Sequence, residues 1–373
     1  MKVLIQSREN FFEMPGGDTV QILKTKEQLE KLGVQVDISL ELEPDLSTYD
    51  IIHLTNITRV NETYIQLKNA KKQGKPVVLS TIFWPMEEFE KKGQHGVRKA
   101  LSGLLSINQI ERLKVLIRGI KNYKIWNKST RSLLTVGYLK MQRYVIDEAD
   151  LFLPNAELEM KKLNETFSVN KQNYIVVPNA IDANIANNYL NLVDDEEFNE
   201  FKDAIVCVGR IEARKNQLAL VQALEGSPYK LVLVGQVSDN FKYYFAEIKK
   251  YIDRNENFFY IERIDNEKLY KLFKKCRVSA LPSWLDTPGL VSLEAGVMGC
   301  NLAVSEVGTT KEYFGEEAFY CVPDDIESIR TAIEKAFVKN NNGSLQQKIL
   351  ENYTWEIAAQ QTLKGYKKVL NRG

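Results

Sequence analysis

The sequence predicts an α/β protein of two doubly wound, parallel-sheet domains in tandem. Three observations carry this. Short, near-continuous apolar runs alternate with helical stretches, the pattern of strands covered on both faces by helices. The alternation restarts after residue 200 with a second series of strands. The length of 373 residues, with 44% hydrophobic and 27% charged residues, is that of an ordinary globular protein of roughly two to three domains.

The elements follow in order. Lys2 to Gln6 reads as the first strand. Helical spacing follows over 18–32, with Val20, Ile22, Leu23, Leu29 and Leu32 apolar, and Gly33 stops it. Further strands are predicted at 34–40, 50–54, 77–83, 151–153 and 174–177. A polar stretch over 183–203 joins the second series. There, 204–208 ends at Gly209 and 231–234 ends at Gly235, followed by 258–261, 278–281, 302–305 and 319–322. Trp355, Ala359, Thr362, Leu363, Tyr366 and Leu370 then share one helix face after a capping Thr354. This helix comes after the second sheet is complete. It is predicted to pack back on the first domain, the alternative being a terminal helix of the second. The predicted domains are 1–180, with 354–373 returning to it, and 181–353. Ligands of such sheets sit beyond the carboxyl ends of the strands, so two in tandem imply a cleft between them.

Composition excludes several classes. The formal net charge is +1, and no apolar run approaches the roughly 18 residues of a membrane-spanning helix. The opening Met1-Lys2-Val3-Leu4-Ile5 turns polar at Gln6, too short for a signal-peptide core. Cys207, Cys276, Cys300 and Cys321 have no Cys-x-x-Cys spacing, so buried free thiols in a reducing cytoplasm are expected. Two His and no clustered ligands argue against a built-in metal site.

Three segments can carry chemistry, each at the end of a strand. Gly16-Gly17 lies between the first strand and helix, where backbone can approach a ligand and a helix N-terminus attracts anions. A tight turn without a ligand accounts for it as well. In the second domain, Gly209-Arg210 is followed, after four intervening residues, by Lys215, just before a helix over 217–224. A planar guanidinium fork and a compact ammonium together suit a diphosphate; two solvated basic residues are the alternative. The third segment runs from Asp286 through Gly289, Leu290 and Val291 to Glu294. Its helix start offers backbone N–H groups, and Glu294, one turn in, could accept hydrogen bonds from vicinal hydroxyls as carboxylates do with ribose. The alternative is a capping Asp286 and a Glu294 on a wet helix face.

Taken together, these residues resemble the glycosyltransferase family 4 enzymes, which have the GT-B fold. Gly209, Arg210 and Lys215 match that family's Gly-Arg, four residues, Lys. Asp286 and Glu294 match its acidic residue, seven residues, Glu, with Thr287-Pro288-Gly289 where Gly-Phe-Gly is usual. Pro178-Asn179-Ala180-Ile181-Asp182 is similar to its Pro-Asn-Gly-Val-Asp segment, and Gly16-Gly17 to its first-domain glycine loop. The resemblance implies an N-terminal acceptor domain and a C-terminal nucleotide-sugar donor domain. It implies that Arg210 and Lys215 hold the donor diphosphate and that Glu294 binds the ribose. Asp286 would contact the transferred sugar beside the amides of Gly289, Leu290 and Val291, and Gly17 would bring backbone to the phosphate. Transfer would retain anomeric configuration without a metal or other cofactor, the nucleotide-diphosphate sugar being a co-substrate. Two departures stand out. Asp286 replaces the usual Glu, and Phe83 stands where many relatives place a His. His53 and His95 read as structural. Two rivals share these features: a GT-B epimerase, which needs no acceptor, and a non-catalytic carbohydrate-binding relative.

Charge is uneven along the chain. Residues 91–143 hold thirteen Lys or Arg and one acid, Glu111. Leu113, Leu116, Ile117 and Ile120 recur at helical spacing among Arg112, Lys114, Arg118 and Lys121. A basic helix with one apolar face is the pattern of a membrane-surface segment, here over 97–131. An apolar face turned into the core is the other reading. The expected acceptor is a glycan or a lipid-linked saccharide at the inner face of a membrane. No nucleic-acid motif is present, and the balanced overall charge speaks against such a partner.

Overall fold

The computed structural model describes residues 1–94, 105–121, 126–190, 196–287 and 289–371. His95 and Pro288 lie outside them, as do 97–104 and 122–125 of the basic segment. The chain forms two compact units. The first comprises Met1–Pro85, Leu104–Asn179 and Trp355–Gly373; the second comprises Met86–Gly103 and Ala180–Thr354.

The first unit holds a five-stranded parallel sheet in the order β2-β1-β3-β4-β5. Its strands are β1 (Lys2–Gln6), β2 (Gln35–Ser39), β3 (Ile51–Thr55), β4 (Val77–Ser80) and β5 (Leu151–Phe152). The order reverses between β1 and β3, which makes that edge the topological switch point. Strand β3 is buried along its whole length, as a strand covered by helices on both faces should be. The helices here include α1 (Gly17–Lys31) and α2 (Val60–Lys72). They also include α3 (Ile107–Lys121), α4 (Lys128–Val136), α5 (Tyr138–Glu148) and α6 (Glu157–Phe167). The strand expected at 174–177 reduces to one isolated bridge between Phe152 and Tyr174, because β5 offers only two residues to pair with.

The second unit holds six parallel strands in the order β11-β10-β9-β6-β7-β8. These are β6 (Ile205–Val208), β7 (Leu231–Val234), β8 (Phe258–Ile261), β9 (Val278–Leu281), β10 (Asn301–Ser305) and β11 (Ala318–Cys321). Its switch point lies between β6 and β9. Its helices are α7 (Ala183–Leu190), α8 (Gln217–Leu224), α9 (Lys242–Ile252), α10 (Asn266–Lys275), α11 (Leu290–Val297), α12 (Thr310–Phe314), α13 (Ile326–Val338) and α14 (Ser344–Asn352). The polar stretch expected at 183–203 therefore contains the helix α7.

Two segments cross from one unit to the other. The last helix, α15 (Trp355–Leu370), packs on α1 and β4 of the first unit. Its Tyr366 is fully buried and its hydroxyl lies 2.7 Å from Nδ1 of His53. Residues 86–94, expected in the first domain, instead pack with the second unit. The cause is local: Phe89 is buried there and Gly93 lies against the Trp284 indole. No helix among the described residues is long and apolar enough to cross a membrane. All four cysteines are buried free thiols, and burial pushes the Cys207 thiol up to about 12.

Candidate functional site

At the second switch point two loops meet, one leaving β6 and one leaving β9. Strand β6 ends at Gly209, whose φ of +154° an L side chain rarely adopts. The neighbouring Gly235, at the end of β7, has φ +146°, and a Cβ there would stand 2.1 Å from the Gly209 carbonyl oxygen. Only glycine lets these two strand ends come so close. The chain then passes Arg210 and makes a short turn over Ala213–Lys215 into α8.

Asn216 sets that turn. It takes left-handed φ/ψ, and its buried side-chain amide donates to the carbonyls of Pro282 (3.0 Å) and Pro323 (2.7 Å). One side chain thus ties the loop after β6 to those after β9 and β11. Arg214 adds a second tie, with Nη1 donating to the Leu285 carbonyl at 3.2 Å and its own carbonyl accepting from the Trp284 N–H at 2.9 Å.

These ties bring Lys215 to Asp286. The ammonium stands 3.0 Å from one carboxylate oxygen and 3.3 Å from the other. Their side chains are only 14% and 10% exposed, so the pair is largely desolvated and removal of either partner would strand the other's charge. The Asp286 backbone is clamped in turn by Gly308, with φ +104°, where a Cβ would stand 1.9 Å from the Asp286 carbonyl oxygen. The Lys215 stem passes over Gly209, and Gly289 lies against the Asp286 carboxylate.

Helix α11 starts just beyond. The N–H groups of Leu290 and Val291, in its first turn, have no acceptor among the described residues, as expected at a helix N-terminus. Glu294 follows one turn later, half-buried between the fully buried Leu293 and Ala295. Among the described residues nothing donates to its carboxyl, and burial pushes it up to about 7. Arg210 is exposed and its guanidinium has no partner among the described residues.

The fold therefore gathers Gly209, Lys215, Asp286, Gly289, Leu290, Val291 and Glu294 along one edge, with Arg210 exposed at the strand end. Gly17 opens α1 in the first unit, and the second-unit constellation is built without it. Phe83 is 3% exposed, with its ring 5.5 Å from that of Phe167, and its N–H donates to Glu159 at 2.7 Å; it is a core residue. His53 is buried between the hydroxyls of Tyr366 (2.7 Å) and Ser80 (2.8 Å), and burial holds it down at about 4. It is a neutral structural histidine. Sequence reasoning missed Asn216, Arg214 and Gly308. Asn216 alone carried a local signal, since Asn tolerates the left-handed conformation.

Residues 190–353 match the model of the family described as glycosyl transferases group 1. An uncharacterized glycosyltransferase of Methanocaldococcus jannaschii, MJ1607, is 26% identical over 192 residues, covering 48% of this chain and 46% of its own length. The chain thus spans about half the length of this curated relative, and less of others. Sucrose-phosphate synthase from Thermosynechococcus elongatus superposes with a TM-score of 0.72 at 14% identity, covering all of both chains. HepE of Anabaena, solved with UDP, gives 0.68 at 15% identity, covering 99% of this chain and 100% of its own. Residues 190–353 of the second unit thus carry the match to the glycosyl transferases group 1 model, and the chain shares the two-sheet GT-B fold of these solved structures.

Proposed function

We propose that the chain is a family 4 glycosyltransferase that moves a sugar from a nucleotide-diphosphate sugar to a glycan or lipid-linked saccharide. One observation carries this reading. The loops on either side of the second switch point carry the Lys215–Asp286 pair and lead into the start of α11, and Arg210 and Glu294, on these same segments, have no side-chain partner among the described residues. Arg210, Lys215 and the amides of Leu290 and Val291 would neutralise the charge that develops on the departing β-phosphate, with no metal required of the mechanism. Glu294 would accept from the ribose hydroxyls, and Asp286 from hydroxyls of the transferred sugar. The bond from the anomeric carbon to the phosphate oxygen breaks, and the acceptor oxygen bonds to the same carbon. The acceptor proton leaves with the phosphate. Retention of configuration is carried over from the family resemblance.

The acceptor side of the proposal rests on α3. Val115 is buried and Gly119 sits under the Trp126 ring, whereas Leu116, Ile117 and Ile120 are 43%, 46% and 86% exposed beside Arg112 and Arg118. An exposed apolar stripe edged with arginine suits an anionic bilayer, which favours a cytoplasmic protein resting on the inner leaflet and a lipid-linked acceptor there. A thermal-shift screen of uridine, guanosine, adenosine and thymidine diphosphates and their sugars tests the donor, since a ligand of the folded state raises Tm. Failure of all of them would overturn the reading. Conversion of a donor without any acceptor would replace transfer by epimerisation.

A further inference from the structure

The segment 86–94 follows β4 in the chain, lies outside the residues matched to the family, and is nevertheless part of the second unit. It makes one wide helical turn, Phe89–Gly93, which packs against the Ala213–Lys215 turn. Phe89 is buried in it. Gly93 lies flat against Trp284. A Cβ at Gly93 would stand 2.9 Å from Cδ1 and Cδ2 of the indole and 2.5 Å from Cδ2 of Phe89. No side chain fits there unless a ring moves.

Trp284 is 5% exposed, and its backbone bond to Arg214 joins the two loops that carry Lys215 and Asp286. Lys92 reaches Asp324 at 3.1 Å. Asp324 follows Pro323, whose carbonyl accepts from Asn216. The segment therefore touches the loops after β6, β9 and β11, the three that Asn216 ties from within. The exposed Lys92–Asp324 pair contributes little by itself; the packed face of Gly93, Phe89 and Trp284 is the stronger anchor.

We infer that residues 86–94 are a clamp on the donor-side loops, with Gly93 and Trp284 acting as positioning residues for Lys215 and Asp286. The inference rests on the donor reading above for its functional meaning. Its geometry stands apart from that reading. Overpacking at Gly93 displaces the indole, and the indole carries both loops with it. The ammonium and the carboxylate then lose register, although neither has been altered.

The test uses the full chain and Gly93→Ala, followed by hydrogen exchange and by titration with UDP as the probe. Faster exchange confined to 210–217 and 282–287 is expected, with segments of the first sheet unchanged and UDP binding about tenfold weaker. In the Gly93→Ala/Trp284→Phe double variant, the smaller ring makes room. The combined defect should then be smaller than the sum of the singles. Unchanged exchange in those two segments would overturn the clamp. So would exchange raised evenly over both units, or strict additivity in the double variant. A wild-type chain that binds none of UDP, GDP, ADP or dTDP would count against the donor reading alone, since exchange still decides the clamp.

Discussion

The two switch points are built alike and equipped differently. In the first sheet the cation beyond β1 is Arg8, which is 7% exposed. It is held by both carboxylate oxygens of Asp18, at 2.7 and 3.1 Å, by the side chain and carbonyl of Asn10, and by the Met14 carbonyl and Thr19 hydroxyl. Its donors are used in fixing the loop into α1, and they hold the Asp18 carboxyl below the usual range even though burial opposes this. In the second sheet Lys215 has one partner, Arg210 has none among the described residues, and Glu294 accepts no hydrogen bond from them. The same contrast separates two titratable groups, the buried His53 and the half-buried Glu294. Both are driven toward neutrality by burial, His53 down to about 4 and Glu294 up to about 7, but only His53 is satisfied on both sides. A buried polar group with all its partners stabilises a fold, and one without them invites a ligand.

The sharpest way to break this comparison is to remove the groups of the second site one at a time. Lys215→Ala and Glu294→Ala should each lower transfer by at least about 100-fold, the scale of one lost preorganised electrostatic contact. Steady-state rates near wild type in either would remove the second switch point as the donor site.

Glu294 next predicts a pH dependence. Its folded pKa of about 7 lies above the ordinary 4.5, so the unfolded chain ionises first as pH rises. Stability is therefore lost between about pH 4.5 and 7, by at most about 3 kcal/mol, and is level above that. Glu294→Gln should flatten this slope in urea titrations. Because ribose hydroxyls donate best to the carboxylate, donor binding near pH 7 should also release a proton, which calorimetry in two buffers would detect.

His53→Ala should behave in the opposite way. It leaves the Tyr366 and Ser80 hydroxyls without partners and should cost about 2 kcal/mol of stability, while UDP titration at the second sheet is unchanged. A loss of nucleotide binding would mean that the first unit's core is not merely structural. The smallest effect is expected on α3. Replacing Arg112 and Arg118 by Gln should weaken binding to anionic vesicles by about 1 kcal/mol per residue, and co-sedimentation equal on neutral and anionic vesicles would remove the bilayer from the proposal.

Much of this was legible in the sequence. Continuous apolar runs located the strands, because a parallel strand buried on both faces admits few polar residues. The ranges 217–224 and 290–297 emerged as helices because glycines and turn residues mark where each strand hands over to the next helix. The chain's own spacing also placed Lys215 and Asp286 at strand ends, and the strand order then made those ends neighbours. What lay beyond local reading was contact at long range. Asn216 bridging to Pro282 and Pro323, Gly308 against Asp286, and the residues 86–94 on Trp284 each join positions far apart in the chain. A side chain's periodicity reports which face it occupies, and only folding decides what lies opposite. The outward face of α3 shows the same limit: its amphipathic spacing was plain, but whether Leu116, Ile117 and Ile120 met core or solvent depended on the elements packed around them.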